Sequence, residues 1–274
     1  MFLQRLISGI ILVLIAIGAI LAGGNVVLVL LSILALIGVH ELYKAEKMEK
    51  SPAAFVGYLA VLGYYTMLYL GLMEYMLLFM VTFLILLFLV MIVTYPKVHP
   101  REIMMGFFGV GYVAFLLSYV YQIRILENGM YIVWLLLLSA FGYDTFAYCV
   151  GLLTAKTIGN HKMTPKLSPK KSFEGLAGGL IGAGILGFVY AALFKEHLPQ
   201  VPNSAVFYGI VCAIGGGVAQ VGDLAASAIK RQYDIKDFGK LIPGHGGVLD
   251  RFDSLMFTAP VIFYLVTLVL PLLG

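Results

Sequence analysis

Long apolar runs separated by short polar breaks dominate the chain. Runs of ~18 or more apolar residues are long enough for a helix to cross a bilayer. Nine such spans are predicted, at about 6–22, 25–42, 53–71, 75–94, 103–123, 130–153, 174–194, 203–229 and 252–272. The runs do not alternate apolar with polar residues, so a membrane β-barrel does not fit. The breaks carry turn and charge signals: Gly23-Gly24-Asn25, YKAEKMEKSP, GLMEY, YPKVHPR, RILENG, a polar stretch over 155–173, KEHLPQVP, and RQYDIKDFGKLIPGHGG.

Composition agrees with the pattern. The 274 residues are 61% hydrophobic and 12% charged, where soluble domains have about 45–50% and about 25%. The expected fold class is therefore all-α: a polytopic integral membrane protein of about nine transmembrane helices. The opening segment has the outline of a signal peptide, but its apolar run is long and another span follows at once, so a retained helix is expected. Cys149 and Cys212 both fall in apolar runs with no CxxC pair, which predicts buried thiols rather than a metal site or a disulfide framework.

Charge distribution sets the expected orientation. With the amino terminus in the cytoplasm, sixteen of the eighteen Lys and Arg residues fall on the cytoplasmic side. Only Arg124 and Lys195 fall outside, as the positive-inside rule requires. The six aspartates, at 144, 223, 234, 237, 250 and 253, all lie in the second half. The first five spans are nearly free of ionisable side chains. This predicts a scaffold over 1–129 and a catalytic part over 130–274.

Asp144, Asp223, Asp250 and Asp253 lie inside or at the edge of predicted spans. A carboxylate there is costly and usually marks a functional cavity, the alternative being a structural ion pair. Asp223, Ser227 and Lys230 recur at i, i+4 and i+7, and Asp250 and Asp253 at i, i+3, so each set shares a helix face. Hard oxygen ligands suit Mg²⁺, which takes one or two carboxylates together with substrate phosphates. His245 is expected to hydrogen-bond or orient a phosphate rather than to bind metal. Opposite charge comes from Lys170 and Lys171, just ahead of a helix start with Ser172 as N-cap, and from Lys230, Arg231 and Lys236. Gly244, Gly246 and Gly247 around His245 would let backbone N–H groups approach phosphate. The residues alone thus describe a cytoplasm-facing polar cavity suited to phosphoryl or nucleotidyl transfer to a lipid. Tyr64, Tyr65, Tyr69, Phe107, Phe108 and Tyr112 suit a lipid cleft, core packing or interfacial anchoring equally well.

SAIKRQYDIKDFGKLIPGHGGVLDRFDSL (227–255) resembles the signature of the phosphatidate cytidylyltransferase, or CDP-diacylglycerol synthase, family. That signature runs Ser-x-x-Lys-Arg, then Lys-Asp, then His-Gly-Gly-x-x-Asp-Arg-x-Asp, and every position is filled here. DTFAY (144–148), SPKKSFEG (168–175) and GDL (222–224) resemble family motifs in the expected order. The close match covers about 140–255. One departure is visible: Ala226 stands where the family usually carries Glu.

The resemblance implies a Mg²⁺-dependent reaction of CTP with phosphatidic acid, giving CDP-diacylglycerol and pyrophosphate, with room for a second cation. It implies metal binding by Asp223 and Asp250, with Asp144 and Asp253 as weaker candidates. Asp223, Asp250, Lys230, Arg231 and His245 are the expected catalytic set. Ser168, Lys170, Lys171, Ser227, Lys236, Gly246, Gly247 and Arg251 are the expected substrate-binding set. The expected partners are CTP, phosphatidic acid and membrane lipids, with a homodimer admitted and no nucleic acid. The expected location is the bacterial inner membrane, with the site facing the cytoplasm. Two rivals share parts of the pattern. A polyprenol kinase would use a similar cavity without the full His-Gly-Gly string. An ion-coupled transporter would need charged residues continuing to the outer side, where few lie, among them Arg124, Glu127, Lys195, Glu196 and His197.

Overall fold

The computed structural model describes residues 2–157 and 159–272, with side chains from residue 6 onward. The Arg5 side chain lies outside them. Among the described residues nine long helical runs follow in order: α1 Phe2–Ala22, α2 Gly24–Ala45, α3 Pro52–Leu70, α4 Met73–Val93, α5 Pro100–Arg124, α6 Gly129–Thr157, α7 Phe173–Leu193, α8 Ser204–Gln232 and α9 Leu249–Leu272. Among the described residues, α2 to α9 are each long and apolar enough to cross a membrane, and α1 contributes a shorter apolar run, Leu6–Ala22. The chain is an all-α polytopic membrane protein with one small β-hairpin, β1 (Lys162–Thr164) and β2 (Ser168–Ser172). The hairpin lies in the polar stretch that the sequence marks as a connection.

Capping residues fix where the helices begin and end. Ser51 accepts a hydrogen bond from the N–H of Ala53 (3.1 Å) ahead of Pro52 at the first helical position. Gly71, at φ 70°, closes α3 in the left-handed conformation that glycine adopts without strain. His99 and Glu102 form a reciprocal capping box around Pro100. Ser172 caps α7 through the N–H of Gly175 (3.1 Å), as its sequence position predicts.

The chain divides into two compact units. The first comprises Met1–Tyr121 with Gln232–Phe252, and the second Gln122–Arg231 with Asp253–Gly274. This packing division differs from a cut at residue 129, because the loop after α8 packs with the amino-terminal helices.

In the first unit Val39, Leu42, Tyr43, Ala53, Val61, Leu87 and Val110 form the core. Two of its buried tyrosines bond within the unit: Tyr43 donates to the carbonyl of Gly106 (2.7 Å), and Tyr64 bonds Ser118 (2.8 Å). Tyr64, Tyr65 and Tyr112 are therefore core residues, whereas Tyr69 and Phe108 are exposed. On α4 only Phe83 and Leu87 are buried, and Leu77, Leu78, Ile92 and Val93 are exposed. An apolar surface of that extent requires a lipid neighbour.

In the second unit glycines let helices approach closely, as small residues do in membrane bundles. A Cβ at Gly178, Gly179 or Gly182 of α7 would meet Val150, Tyr143 or Phe146 of α6. Cys212 is buried as expected, but Cys149 is exposed on α6. Both thiols are free. Replacing Gly182 with Leu forces the Phe146 ring aside, and overpacking of this kind costs about 1–3 kcal/mol. Thermal unfolding in detergent is expected to show a lower Tm for Gly182→Leu than for Gly18→Leu, whose Cβ position is open.

Candidate active site

The candidate residues form two clusters, one in each unit. In the second unit the β-hairpin presents the paired lysines. β1 and β2 pair antiparallel, with Lys162 opposite Ser172 and Thr164 opposite Ser168. Side chains tie the hairpin base to the helices: the Asn160 amide donates to the carbonyl of Gly151 (2.7 Å), and the His161 N–H donates to Glu174 (3.1 Å). Lys170 is exposed, while Lys171 is half-buried and meets Asp223 with Nζ 2.5 Å from Oδ2.

Asp144, at the surface of α6, interacts electrostatically with both Asp223 and Lys171. It follows a π-helical turn at 138–142, a distortion that often re-aims side chains at functional sites. Buried Tyr143 donates to Gln220 Oε1, and Gln220 in turn contacts the Met163 sulfur of the hairpin (3.4 Å). These contacts fix α6, α8 and β1 around the Asp144–Asp223–Lys171 group. Helix α8 runs unbroken to Gln232, so Asp223, Ser227 and Lys230 do share a face. At Gly222 a Cβ would fall 2.5 Å from the carbonyl oxygen of Asp253, which brings α9 against α8 beside Asp223. Asp253 is buried, and its Oδ1 accepts from the N–H of Ser254 (2.8 Å). Ala226 is fully buried. Ser168 and Ser227 are half-buried.

The second cluster is the glycine-rich loop of the first unit. Asp250, 7% exposed, accepts through Oδ2 from the N–H of Phe238 (2.8 Å) and of Gly247 (3.0 Å). Gly246, at φ 87°, turns the chain over this carboxylate, and a Cβ there would lie 2.9 Å from Asp250 Oδ2. The turn closes with Ile242 and Gly246 bonded N–H to carbonyl (2.9 Å), and His245 N–H to the carbonyl of Ile242 (2.9 Å). The expectation that Gly247 offers its N–H to phosphate needs revision, since that N–H is directed at Asp250. His245 turns its Nδ1 to the Ser8 hydroxyl (2.9 Å) on α1. Lys236 and Arg251 are exposed on the same loop and at the start of α9.

Two acidic residues outside the signature hold the loop. Glu41 of α2, 5% exposed, accepts from the N–H of Val248 (3.1 Å) and of Leu249 (2.9 Å). Glu46 meets Arg101 in a two-pronged pair, with Nη2 to Oε2 at 3.0 Å and Nε to Oε1 at 2.5 Å. Tyr233 hydrogen-bonds both partners, and burial holds its phenol above the usual range, so it remains a donor. Sequence reasoning missed Glu41, Gln220 and Tyr143. Glu41 carried a signal: it is the one carboxylate inside the first five predicted spans, and the rule applied to the aspartates covers it equally.

Among the described residues no group of three His, Cys, Asp or Glu side chains is arranged to hold a metal ion. Mg²⁺ does not need three, since it keeps waters and takes one or two carboxylates plus substrate phosphates. Asp223, half-exposed with Asp144 as neighbour, and Asp250, oriented by two backbone N–H groups, are fixed hard-oxygen donors of that kind. Each carboxylate, taken within its own unit, fits such an ion.

The chain is 35% identical over 158 residues to a phosphatidate cytidylyltransferase of Bacillus subtilis, covering 57% of this chain and 55% of that protein. It is 38% identical over 136 residues to one of Rickettsia felis (48% and 58%), and 39% identical over 150 residues to one of Thermotoga maritima (55% and 54%). The matched region thus spans about half the length of these curated relatives. The profile described as the cytidylyltransferase family matches residues 3–269, nearly the whole chain, and the chain belongs to that family.

Proposed function

We propose that this membrane protein is a phosphatidate cytidylyltransferase, transferring CMP from CTP to phosphatidic acid in phospholipid synthesis. The observation that carries the reading is the oriented Asp250 carboxylate inside the His-Gly-Gly-x-x-Asp-Arg-x-Asp string. The names of the matched relatives support it. An oxygen of the lipid phosphate attacks the α-phosphorus of CTP in line, the bond to the β-phosphate oxygen breaks, and pyrophosphate leaves. The attacking phosphate is already ionised, so no strong general base is required. Positioning and charge neutralisation supply the catalysis.

Lys171 and Asp223 keep one another oriented, and Lys170, Lys230, Arg231, Lys236 and Arg251 supply positive charge for phosphates. Asp223 and Asp250 are the proposed metal carboxylates, with Asp144 and Asp253 beside them in sequence or in charge. Bound Mg²⁺ would neutralise phosphate charge as it develops. His245, held by Ser8, lines the loop. The distribution of Lys and Arg supports a cytoplasmic amino terminus and access to CTP from the cytoplasmic face of a bacterial inner membrane.

Purified protein in detergent, supplied with phosphatidic acid, CTP and Mg²⁺, is expected to release CDP-diacylglycerol and pyrophosphate in equal amounts. Asp223→Asn and Asp250→Asn are each expected to lower the rate roughly 100-fold or more, matching the several kcal/mol of metal-ion charge stabilisation. A well-folded parent without product would overturn the assignment. Lys171→Met is expected to cost at least about tenfold in kcat/KM, because it removes the cation that orients Asp223, whereas Lys166→Met should leave the rate nearly unchanged. Equal effects of the two lysine changes would remove Lys171 from the site.

A further inference from the structure

Helix α2 belongs to the half of the sequence that carries almost no ionisable groups, yet it sends one carboxylate into the signature loop. Glu41 is buried and receives the N–H groups of Val248 and Leu249, which open α9. These are amides that a helix start leaves without intrahelical partners. A carboxylate suits the site, because it accepts both bonds and its charge favours the positive end of the helix. Asp250 is one residue beyond, and its Oδ2 takes the N–H of Gly247 directly before the Glu41-bound pair. Three consecutive amides, at 247, 248 and 249, are therefore shared between two carboxylates: the first goes to Asp250 and the next two to Glu41.

The glycines of the loop fit the same purpose. A Cβ on Gly247 would fall on both oxygens of Glu41, and a Cβ on Gly239 would fall on Glu41 Oε1. The carboxylate thus occupies a slot bounded by two residues that have no side chain. Lys44, one turn further along α2, is close enough to interact with Glu41 through charge, and Asp250 opposes it. Glu46, at the end of the same helix, anchors the beginning of the loop through Arg101 and Tyr233.

From this geometry we infer that Glu41 is a positioning residue: it fixes the backbone from Gly247 to Leu249 and thereby sets the orientation of the Asp250 carboxylate. The inference rests on the reading of Asp250 as a metal-binding group. Partners that orient a ligand typically change metal affinity 10- to 100-fold when removed. Glu41→Gln keeps the shape and one acceptor oxygen, but its amide nitrogen cannot accept the second N–H.

The test combines activity with two readouts that do not depend on turnover. Hydrogen exchange of the peptide covering 238–252 would be compared in parent, Glu41→Gln, Gly239→Ala and Asp250→Asn proteins. Binding of Mn²⁺ as a spectroscopic stand-in for Mg²⁺ would be titrated in each. Glu41→Gln is expected to speed exchange in that peptide while leaving the α7 peptide 176–190 unchanged. It should also weaken Mn²⁺ binding and raise the Mg²⁺ concentration for half-maximal rate about tenfold, with a smaller change in kcat at saturating Mg²⁺. Gly239→Ala, which crowds the carboxylate from the other side, is expected to reproduce the pattern and decides the matter if Glu41→Gln does not fold. Unchanged exchange and unchanged metal dependence in a folded Glu41 or Gly239 variant, with Asp250→Asn inactive, overturns the positioning role alone. Full activity and metal binding in Asp250→Asn overturns the underlying assignment instead.

Discussion

Every backbone N–H and C=O in the hydrocarbon region must find its partner within the protein, because lipid offers none. The fold follows from that constraint. Nine helical runs satisfy their own amides, and their ends are closed by Ser51, Gly71, the His99–Glu102 pair and Ser172. Where the chain leaves helical geometry between α8 and α9, the burden passes to side chains. Asp250 and Glu41 together accept four amides from Phe238 to Leu249. A loop that would otherwise be costly to bury becomes a fixed platform, and the acids that satisfy it are held in turn.

The same economy shapes the second unit. Glycines on α7 and α8 bring helix backbones close enough for Tyr143, Gln220 and Met163 to connect α6, α8 and the hairpin. Several polar residues there are paired with one another. Lys171 with Asp223 is the clearest case, a close ion pair at the edge of the hairpin.

Much of this was legible in the sequence, because hydrophobic length and helix periodicity are local properties. The nine runs, the Ser172 cap and the shared face of Asp223, Ser227 and Lys230 all follow from residues close together in the chain. The signature string pointed to the family for the same reason. What stayed hidden depends on contacts between residues far apart. Glu41 meets Leu249 across more than two hundred positions, and nothing near residue 41 announces that partner. The role of Gly247 was misread for a related reason. A glycine beside a histidine suggests open backbone, but the space is filled by a side chain from α2. Cys149 shows the limit of hydropathy, which reports an apolar environment without distinguishing lipid from protein interior.

The end of β2 divides the Lys170–Lys171 pair between two environments. Only Lys171 joins the carboxylates, so Asp144, Asp223 and Lys171 together carry a formal charge of −1. A bare polyphosphate approaching that group meets repulsion, and the exposed Lys170 is its nearest counterweight along the strand. A nucleotide that arrives with its divalent cation already attached meets attraction instead. Under the function proposed above, the metal–nucleotide complex would be the favoured entering species, with Lys171 of this five-residue strand drawn into the acidic group and Lys170 left outside it.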